Sequence, residues 1–356
     1  MTLRNIIRTP VLFPSTIGWI DSQKDFQLIL ASNEAIMIPM NYSIPPRTLA
    51  LLASVSERLG EVNAAHLHHP GPTLLRAHRV SSIHATLALE DNPLDRRAIA
   101  ELLDGRNPDP AQPAELEVLN TNRLYNMLPA LDPFTGQDLR QAHGELMHGL
   151  ALDPGTYRTG TMEVLYADGT RRRRTAAGNI SSQVEQLLHY VENDEAPLLL
   201  TSCVLHYGLI HLRPFTAGNG RIARLWQKLA LMKQWPVFAY LPLEGFIQGG
   251  RNGYYAALEF ADRQEDSGGF ISYMLERIDE ALHELLMRER TLLSGSDRIN
   301  TFLMAKDRSH FSRKDYRRMF PELSPATASR DLADAVARGQ LAKAGTKRVT
   351  SYWPIS

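Results

Sequence analysis

Two glycines and two arginines at fixed spacing form the most informative stretch of this 356-residue chain. Gly218, Asn219, Gly220, Arg221 and Arg224 lie between an apolar run with helical spacing and an amphipathic one. Glycine lets the backbone turn its N–H groups toward a ligand, and the following helix presents the positive end of its dipole there. Two guanidinium groups in the first turns of that helix can bind phosphate oxygens in bidentate fashion. The pattern predicts a phosphate site at a helix–helix junction, with a purely structural turn as the alternative.

This stretch resembles the signature of the Fic family, His-x-Phe-x-Asp/Glu-Gly-Asn-Gly-Arg-x-x-Arg. Phe215 and the five residues above match it in register, and the upstream pair His206 and Tyr207 also fits. The resemblance implies a mainly α fold, a Fic helical bundle with a β-hairpin flap. It also implies transfer of a nucleotide phosphoryl group, usually AMP from ATP, to a protein hydroxyl.

Two positions depart from the signature. Arg213 stands where the family has its catalytic His, and Ala217 stands where the family has the acidic residue that holds Mg²⁺ on the phosphates. A guanidinium with a pKa above about 12 cannot accept a proton, and alanine offers no hard oxygen ligand. A register slip that used His211 as the base is less favoured than a packed or surface histidine. The departures predict that phosphate binding survives, that ordinary AMP transfer is lost, and that Mg²⁺ is bound weakly or not at all.

Composition narrows the class of protein. Acidic and basic residues number 39 each, so any attraction to nucleic acid or membrane must be local. A single cysteine, Cys203, excludes an internal disulfide and suits a reducing cytoplasm, and its apolar surroundings indicate a buried side chain. No apolar run approaches the roughly 20 residues of a membrane span. We therefore expect a cytoplasmic globular protein without a membrane partner.

Three segments are expected along the chain. Residues 1–45 suggest an N-terminal arm or a small β element, residues 46–290 a Fic domain, and residues 297–356 a separate unit. Thr86 and Glu90 lie four residues apart on a helix near 74–90, and this spacing resembles the family's inhibitory motif, Ser/Thr-x-x-x-Glu-Gly/Asn. The resemblance implies that Glu90 pairs with Arg224, although Asp91 replaces the usual Gly or Asn. A solvated surface glutamate is the alternative.

Two further features of the Fic segment bear on ligands. Alternating residues around Asp168 and Gly169 predict a hairpin over 157–176. The resemblance makes this hairpin a flap for a protein target, whereas a charged edge strand is the alternative. Tyr254 and Tyr255 fall where the family sandwiches a nucleotide base, although tyrosines at helical spacing are also common in a core.

The last segment has the element order of a winged helix. Residues 297–356 hold 12 Arg plus Lys against 6 Asp plus Glu, and such a surplus attracts duplex DNA through counterion release. Thr327, Ser329 and Arg330 open the third helix of this unit and could reach bases or phosphates. A packing contact or a homodimer contact is the alternative.

Two readings of function remain open. The first is a pseudoenzyme, a degenerate Fic protein that binds ATP, another nucleotide or another phosphate ligand and regulates transcription through the winged helix. The second is an atypical nucleotidyl or phosphoryl transferase that Glu90 inhibits. The loss of both the base and the metal ligand favours the first.

Overall fold

The computed structural model describes residues 41–64, 72–105, 112–166, 169–173, 177–292, 295–305, 310–321, 323–345 and 350–355. Residues 1–40, which make up nearly all of the expected N-terminal arm, lie outside this set, as does Asp168 of the expected hairpin turn.

The described residues form fourteen α-helices and two short antiparallel hairpins. The first helices are α1 (Pro46–Ala64), α2 (Pro72–Ala88), α3 (Arg96–Leu103), α4 (Pro113–Met127) and α5 (Gly136–Leu146). After the hairpin of β1 (Glu163–Leu165) and β2 (Arg171–Arg173) come α6 (Ile180–Asn193), α7 (Leu198–Leu212), α8 (Asn219–Gln234), α9 (Leu243–Gly249), α10 (Arg251–Gln264) and α11 (Gly268–Leu292). The chain ends with α12 (Gly295–Ala305), α13 (Arg313–Met319), α14 (Pro325–Ala337), β3 (Leu341–Ala344) and β4 (Ser351–Pro354). Short 3-10 turns occupy Leu128–Ala130, Ala177–Asn179 and Pro236–Ala239. The expected mainly α fold is confirmed.

Helix α7 lies at the centre of the larger core. Twelve of its residues are buried, Cys203 among them. A helix that is apolar on every face must be surrounded by other elements, and α8 and α11 both pack against it. Burial raises the pKa of the Cys203 thiol to about 12, so this side chain acts as a small hydrophobe, as predicted.

Helix α5 is shorter than its sequence pattern suggests. The periodicity predicts a helix over 135–151, but α5 ends at Leu146. Gly149 and Gly155 adopt left-handed backbone angles, with φ of 70° and 78°. A side chain on Gly155 would meet the Arg140 carbonyl at 2.8 Å. The chain therefore leaves the helix early and folds back against it.

A buried polar cluster fixes α2 against the rest of the bundle. The Lys228 ammonium on α8 lies 2.7 Å from the Glu244 carboxylate on α9. Ser82 of α2 and Tyr125 of α4 donate hydrogen bonds of 2.8 and 2.7 Å to the same carboxylate. Four helices thus satisfy one buried charge pair, which sets the position of α2 and of the residues at its C-terminal end.

The C-terminal residues build a second, smaller core. Phe302, Phe311, Tyr316, Phe320 and Leu332 are buried together between α12, α13, α14 and the β3–β4 hairpin. The order of three helices followed by a hairpin is the order expected from the sequence. No helix within the described residues is long and apolar enough to cross a membrane.

Candidate phosphate-binding cavity

The predicted phosphate site lies in the turn between α7 and α8. Arg213 ends α7 in a left-handed conformation, with φ of 45°. The buried Arg158 guanidinium fixes this end, because its Nε donates to the Arg213 carbonyl at 2.8 Å and its Nη2 to the Leu212 carbonyl at 3.2 Å. A cation that donates to the last carbonyls of a helix satisfies groups that would otherwise be unpaired.

Asn219 braces the turn from within. Its side-chain oxygen accepts from the Phe215 N–H at 3.0 Å, and its side-chain NH₂ donates to the Phe215 carbonyl at 2.8 Å. Gly218 has φ of 72°, and a side chain there would meet the Met147 sulfur at 2.7 Å. The shape of the turn therefore requires both Asn219 and Gly218.

His143 of α5 supports the same turn from below. Its ring lies parallel to Phe215 with centroids 3.6 Å apart. Nδ1 accepts from the Gly155 N–H at 3.0 Å and Nε2 donates to the Ala217 carbonyl at 3.0 Å, an arrangement that requires the neutral imidazole. Burial lowers the pKa of His143 to about 4. This residue could not be recognised from the sequence, since nothing in its local pattern relates it to Ala217, 74 positions away.

A cavity of about 460 Å³ opens above the turn. Its lining is shared by the end of α2, β1, the turn itself and one face of α10. It includes Glu90, Val164, Tyr166, Arg213, Thr216, Ala217, Gly218, Asn219, Gly220, Arg224, Tyr254, Tyr255, Leu258, Glu259 and Asp262. Most of the residues singled out from the sequence therefore meet in one place.

Arg224 lies buried at this cavity, and α2 supplies its partners. Its Nε donates to the Thr86 hydroxyl at 2.9 Å, while its Nη2 donates to the Thr86 carbonyl at 3.0 Å and to Glu90 Oε1 at 2.8 Å. Burial alone would raise the pKa of Glu90, but the charge and hydrogen bond of Arg224 outweigh it and lower that pKa. A side chain on Gly220 would collide with the Glu90 carboxylate. Glu90 thus lies directly over the start of α8.

Contacts with α10 hold the Glu90 turn in place. Asp91 has φ of 63° and pairs with Arg251 at 2.8 Å. The Arg251 guanidinium also donates to the Ala88 carbonyl at 3.3 Å, and the Tyr255 hydroxyl donates to the Leu89 carbonyl at 2.9 Å. Tyr255 therefore both lines the cavity and anchors the segment that covers it.

The other signature arginine points elsewhere. The Arg221 guanidinium pairs with Glu117 of α4 at 3.0 Å and lies 3.4 Å from the Met147 sulfur. Among the described residues that line the cavity, Arg221 does not appear. In this conformation the Arg221 side chain does not line the cavity, but its positive charge is one of those that lower the pKa of Glu90.

His211 is held against α10. Its Nδ1 lies 2.8 Å from Asp262 Oδ1, which also accepts from the Tyr207 hydroxyl at 3.0 Å. The Tyr166 hydroxyl donates to the other oxygen of Asp262 at 3.1 Å. His211 is thus a packed histidine, in agreement with the more favoured interpretation of the sequence.

The side chains of the turn do not fit a Mg²⁺ site. Ala217 has no side-chain donor, and its carbonyl accepts from His143. The Thr216 hydroxyl donates to Asp153 at 2.8 Å. Each carboxylate that lines the cavity already has a partner in the protein. Glu90 pairs with Arg224, and Glu259 pairs with Arg263. Asp262 is bonded to Tyr166, Tyr207 and His211. Mg²⁺ prefers a near-octahedral set of hard oxygens, and the described residues that line the cavity do not present one.

The two tyrosines expected to sandwich a base differ in exposure. Tyr254 is 1% exposed and its hydroxyl lies 2.9 Å from His206 Nε2, whereas Tyr255 is 41% exposed. Tyr255 therefore offers the cavity more ring surface for stacking than Tyr254.

The residues predicted to contact DNA lie on the first turns of α14. Arg330 is exposed, while Thr327 and Ser329 are half-buried. Ser329 accepts from Arg313 at 2.8 Å and donates to the Pro325 carbonyl, and the backbone N–H of Thr327 bonds the capping Ser324 hydroxyl at 3.0 Å.

Comparison with known proteins also indicates a Fic-type domain. Residues 133–231 match the model of the Fic/DOC family. The chain is 25% identical over 254 residues to protein adenylyltransferase fic-1 of Caenorhabditis elegans, a match that covers 68% of this chain and 48% of the relative. The Caenorhabditis briggsae relative of the same name is 25% identical over 240 residues and 45% of its length is covered. The chain thus spans about half the length of these curated relatives.

Solved structures extend the likeness. A Fic family protein from Desulfovibrio desulfuricans G20 matches with a TM-score of 0.66 and 27% identity, over 88% of this chain and 98% of the other. Fic-1 of C. elegans matches with a TM-score of 0.56 at 18% identity, over 76% and 77% of the two chains, and therefore supports the fold alone. With its signature turn and its Glu90–Arg224 pair, this chain carries a Fic/DOC family domain over residues 133–231 and is similar to Fic family proteins, adenylyltransferases among them.

Proposed function

We propose that the cavity binds a nucleotide or another phosphate-bearing ligand and that ordinary AMP transfer is lost. The observation that carries the proposal is the cavity's combination of the Arg224 guanidinium, the glycine turn at the start of α8, and Arg213 at the family's base position. Backbone N–H groups at a helix N-terminus and buried guanidinium groups both favour anions.

Glu90 controls entry of the ligand. The carboxylate bonds the same Arg224 guanidinium that a terminal phosphate would use. A triphosphate must displace Glu90 or leave its last phosphate unpaired, while a monophosphate bound nearer the turn is less affected. Release of Glu90 leaves the buried Arg224 guanidinium without its carboxylate partner, so the phosphate that displaces Glu90 must replace this contact.

Loss of transfer follows from the chemistry at two positions. Arg213 remains charged at every physiological pH, so it cannot take the proton of an attacking hydroxyl. Ala217 leaves no carboxylate to hold a metal on the phosphates. Binding and catalysis are thereby separated at the same cavity.

An atypical transferase is the second candidate. The adenylyltransferase names of the curated relatives support it, and the loss of a general base costs about 10²–10⁴ in rate without abolishing attack. In this reading the β1–β2 hairpin would align a protein target, and Glu90 would inhibit the reaction.

In this proposal, the ligand state of the cavity would alter DNA binding by the C-terminal unit, residues 297–356. The exposed Arg330 at the start of α14 and the surplus of basic residues over 297–356 support duplex DNA as the partner. A dimer contact built from the same unit is the alternative.

Calorimetry on the full chain tests the cavity. Glu90→Gly should tighten ATP binding by about tenfold or more, because Arg224 gains a charge-assisted hydrogen bond to phosphate, and should change AMP binding much less. Glu101→Gln, which removes one charge from the exposed face of α3, is the control for net charge and should leave both affinities unchanged. Equal changes for ATP and AMP would show that Glu90 does not control the cavity. Failure of Glu90→Gly to bind ATP or pyrophosphate would contradict the proposed function itself.

A further inference from the structure

Three features of the cavity bear on the form in which a polyphosphate could enter it. The turn offers no hard oxygen ligand on a side chain that is not already bonded within the protein. Two guanidinium groups, Arg213 and Arg224, line the cavity together with the glycine turn. The carboxylates Glu259 and Asp262, which also line it, lie on α10 and are bonded to Arg263 and His211.

Arg213 lines the cavity. Its backbone lies in the left-handed region at the end of α7, and Arg158 bonds its carbonyl. The Arg213 charge also contributes to lowering the pKa of Glu90, so its field extends to the carboxylate above the turn. A phosphate that replaced Glu90 would lie in the same field.

A divalent cation bound to the phosphates would be unfavourable beside the Arg213 and Arg224 guanidinium groups. Mg²⁺ neutralises phosphate oxygens and brings tightly held water with it, whereas Arg213 and Arg224 need bare, negative oxygens for bidentate hydrogen bonds. Like charges at close range in a partly buried cavity repel strongly. The site should therefore prefer the more negative, uncomplexed ligand.

We propose that this cavity binds polyphosphate in its metal-free form, and that the Arg213 guanidinium supplies the positive charge that a divalent cation would otherwise provide. The inference rests on the proposed function, since it specifies the ionic form of the same ligand. The carboxylates of α10 repel phosphate, so the phosphates lie at the turn and the rest of a nucleotide lies toward Tyr255 and Glu259.

Titration of the full-length Glu90→Gly chain with ATP and with pyrophosphate tests this inference. Each titration is run once with excess EDTA and once with excess Mg²⁺. Affinity in EDTA should equal or exceed affinity in Mg²⁺. Adding Arg213→Gln should weaken binding in EDTA by about tenfold or more, as expected for loss of a charge-assisted bond to phosphate.

Two further variants separate charge from structure. Arg213→Lys keeps the charge and should retain more of the EDTA affinity than Arg213→Gln, which a purely structural contribution of Arg213 would not predict. Arg97→Gln removes one charge from the exposed surface of α3 and should leave binding unchanged. Circular dichroism verifies that each variant is folded.

Binding that appears only when Mg²⁺ is added would overturn the inference and leave the proposed function standing. Equal affinity of the Arg213→Gln and Arg213→Lys variants for pyrophosphate in EDTA would overturn it as well. Absence of binding in both buffers would overturn the inference together with the proposed function.

Discussion

At the scale of single residues, Arg224 explains why α2 covers the cavity. Arg224 is 3% exposed, and its guanidinium donates hydrogen bonds to the Thr86 hydroxyl, the Thr86 carbonyl and Glu90. A buried charge without partners is strongly unfavourable. Under the proposed function, an anion that replaces Glu90 restores the missing charge partner, so we expect release of Glu90 and phosphate binding to be coupled.

His143 is the residue on which the shape of the turn depends most directly. Its two ring nitrogens bond the Gly155 N–H and the Ala217 carbonyl. Protonation would place a hydrogen on Nδ1, which now accepts the bond from Gly155. Burial lowers the pKa of His143 to about 4, from an ordinary value of 6.5, so the folded protein keeps this ring neutral over a range in which the unfolded chain protonates it.

This shift predicts a loss of stability in mild acid. Because the folded-state pKa lies below the unfolded one, the stabilisation is fully present above about pH 6.5 and decreases as pH falls toward about 4. The contribution of this one histidine approaches about 1.4 kcal/mol per pH unit within that window. Urea unfolding of the wild-type chain and of His143→Gln at pH 7, 6 and 5 measures it.

The variant should be less stable at pH 7 but should lose less stability per pH unit than the wild type. Buried His206, whose pKa is lowered to about 3 by burial, remains in both proteins and contributes equally to both slopes. The exposed His148→Gln serves as the control. Identical slopes for the wild type and His143→Gln would show that His143 does not titrate in this window.

At the scale of elements, the last turn of α2 shows how a departure from the family pattern can keep the family geometry. Asp91 occupies the place where Gly or Asn is usual, and its φ of 63° is the left-handed conformation that those residues adopt readily. Aspartate tolerates this region better than most side chains because its short carboxylate can bond locally. Here the carboxylate pairs with Arg251, so the substitution adds a contact between α2 and α10.

The C-terminal helices yield the prediction about DNA. Full-length protein should bind labelled duplex DNA. The logarithm of the association constant should fall linearly with the logarithm of the salt concentration, because basic side chains that contact phosphates release counterions. Arg330→Ala should weaken binding and reduce the slope by about one counterion. Fluorescence anisotropy across a salt series measures both quantities.

Arg97→Ala on α3 is the matched control for loss of an exposed charge and should bind DNA as the wild type does. Phosphate contacts are little screened at about 50 mM salt. Absence of binding at this concentration would contradict the DNA prediction and would favour a packing or dimer contact for residues 297–356.

At the scale of the whole molecule, local pattern and family resemblance predicted those parts of the fold and cavity that short sequences specify. The amphipathic runs became helices, and the Thr86–Glu90 spacing placed both side chains against Arg224. The expected helix near 74–90 ends at Ala88, so Glu90 lies in the turn that follows α2. This turn still leaves Glu90 on the same side as Thr86, because the two residues are only four positions apart. The signature turn likewise depends on residues within a few positions of one another.

Contacts between distant segments that the family motifs do not include could not be predicted. The pair of Arg221 with Glu117 joins residues 104 positions apart, and Arg158 reaches Arg213 from 55 positions away. The helical periodicity of α4 does not say which element its Glu117 will face, because packing of the whole bundle decides this. The same reason explains why Arg221, although it matches the signature, lies outside the lining of the cavity.

The central claim is that this chain binds a nucleotide but has lost ordinary AMP transfer. Transfer of label from nucleotide to protein tests it most directly. The full-length wild type, Glu90→Gly, and Glu90→Gly combined with Arg213→His and Ala217→Asp are each incubated with Mg²⁺ and ATP labelled at the α-phosphate. Covalent label on protein is then measured after denaturation. We expect no label from the first two chains and label from the third, in which a titratable base and a metal ligand are present again. Robust labelling by the wild type or by Glu90→Gly would contradict it.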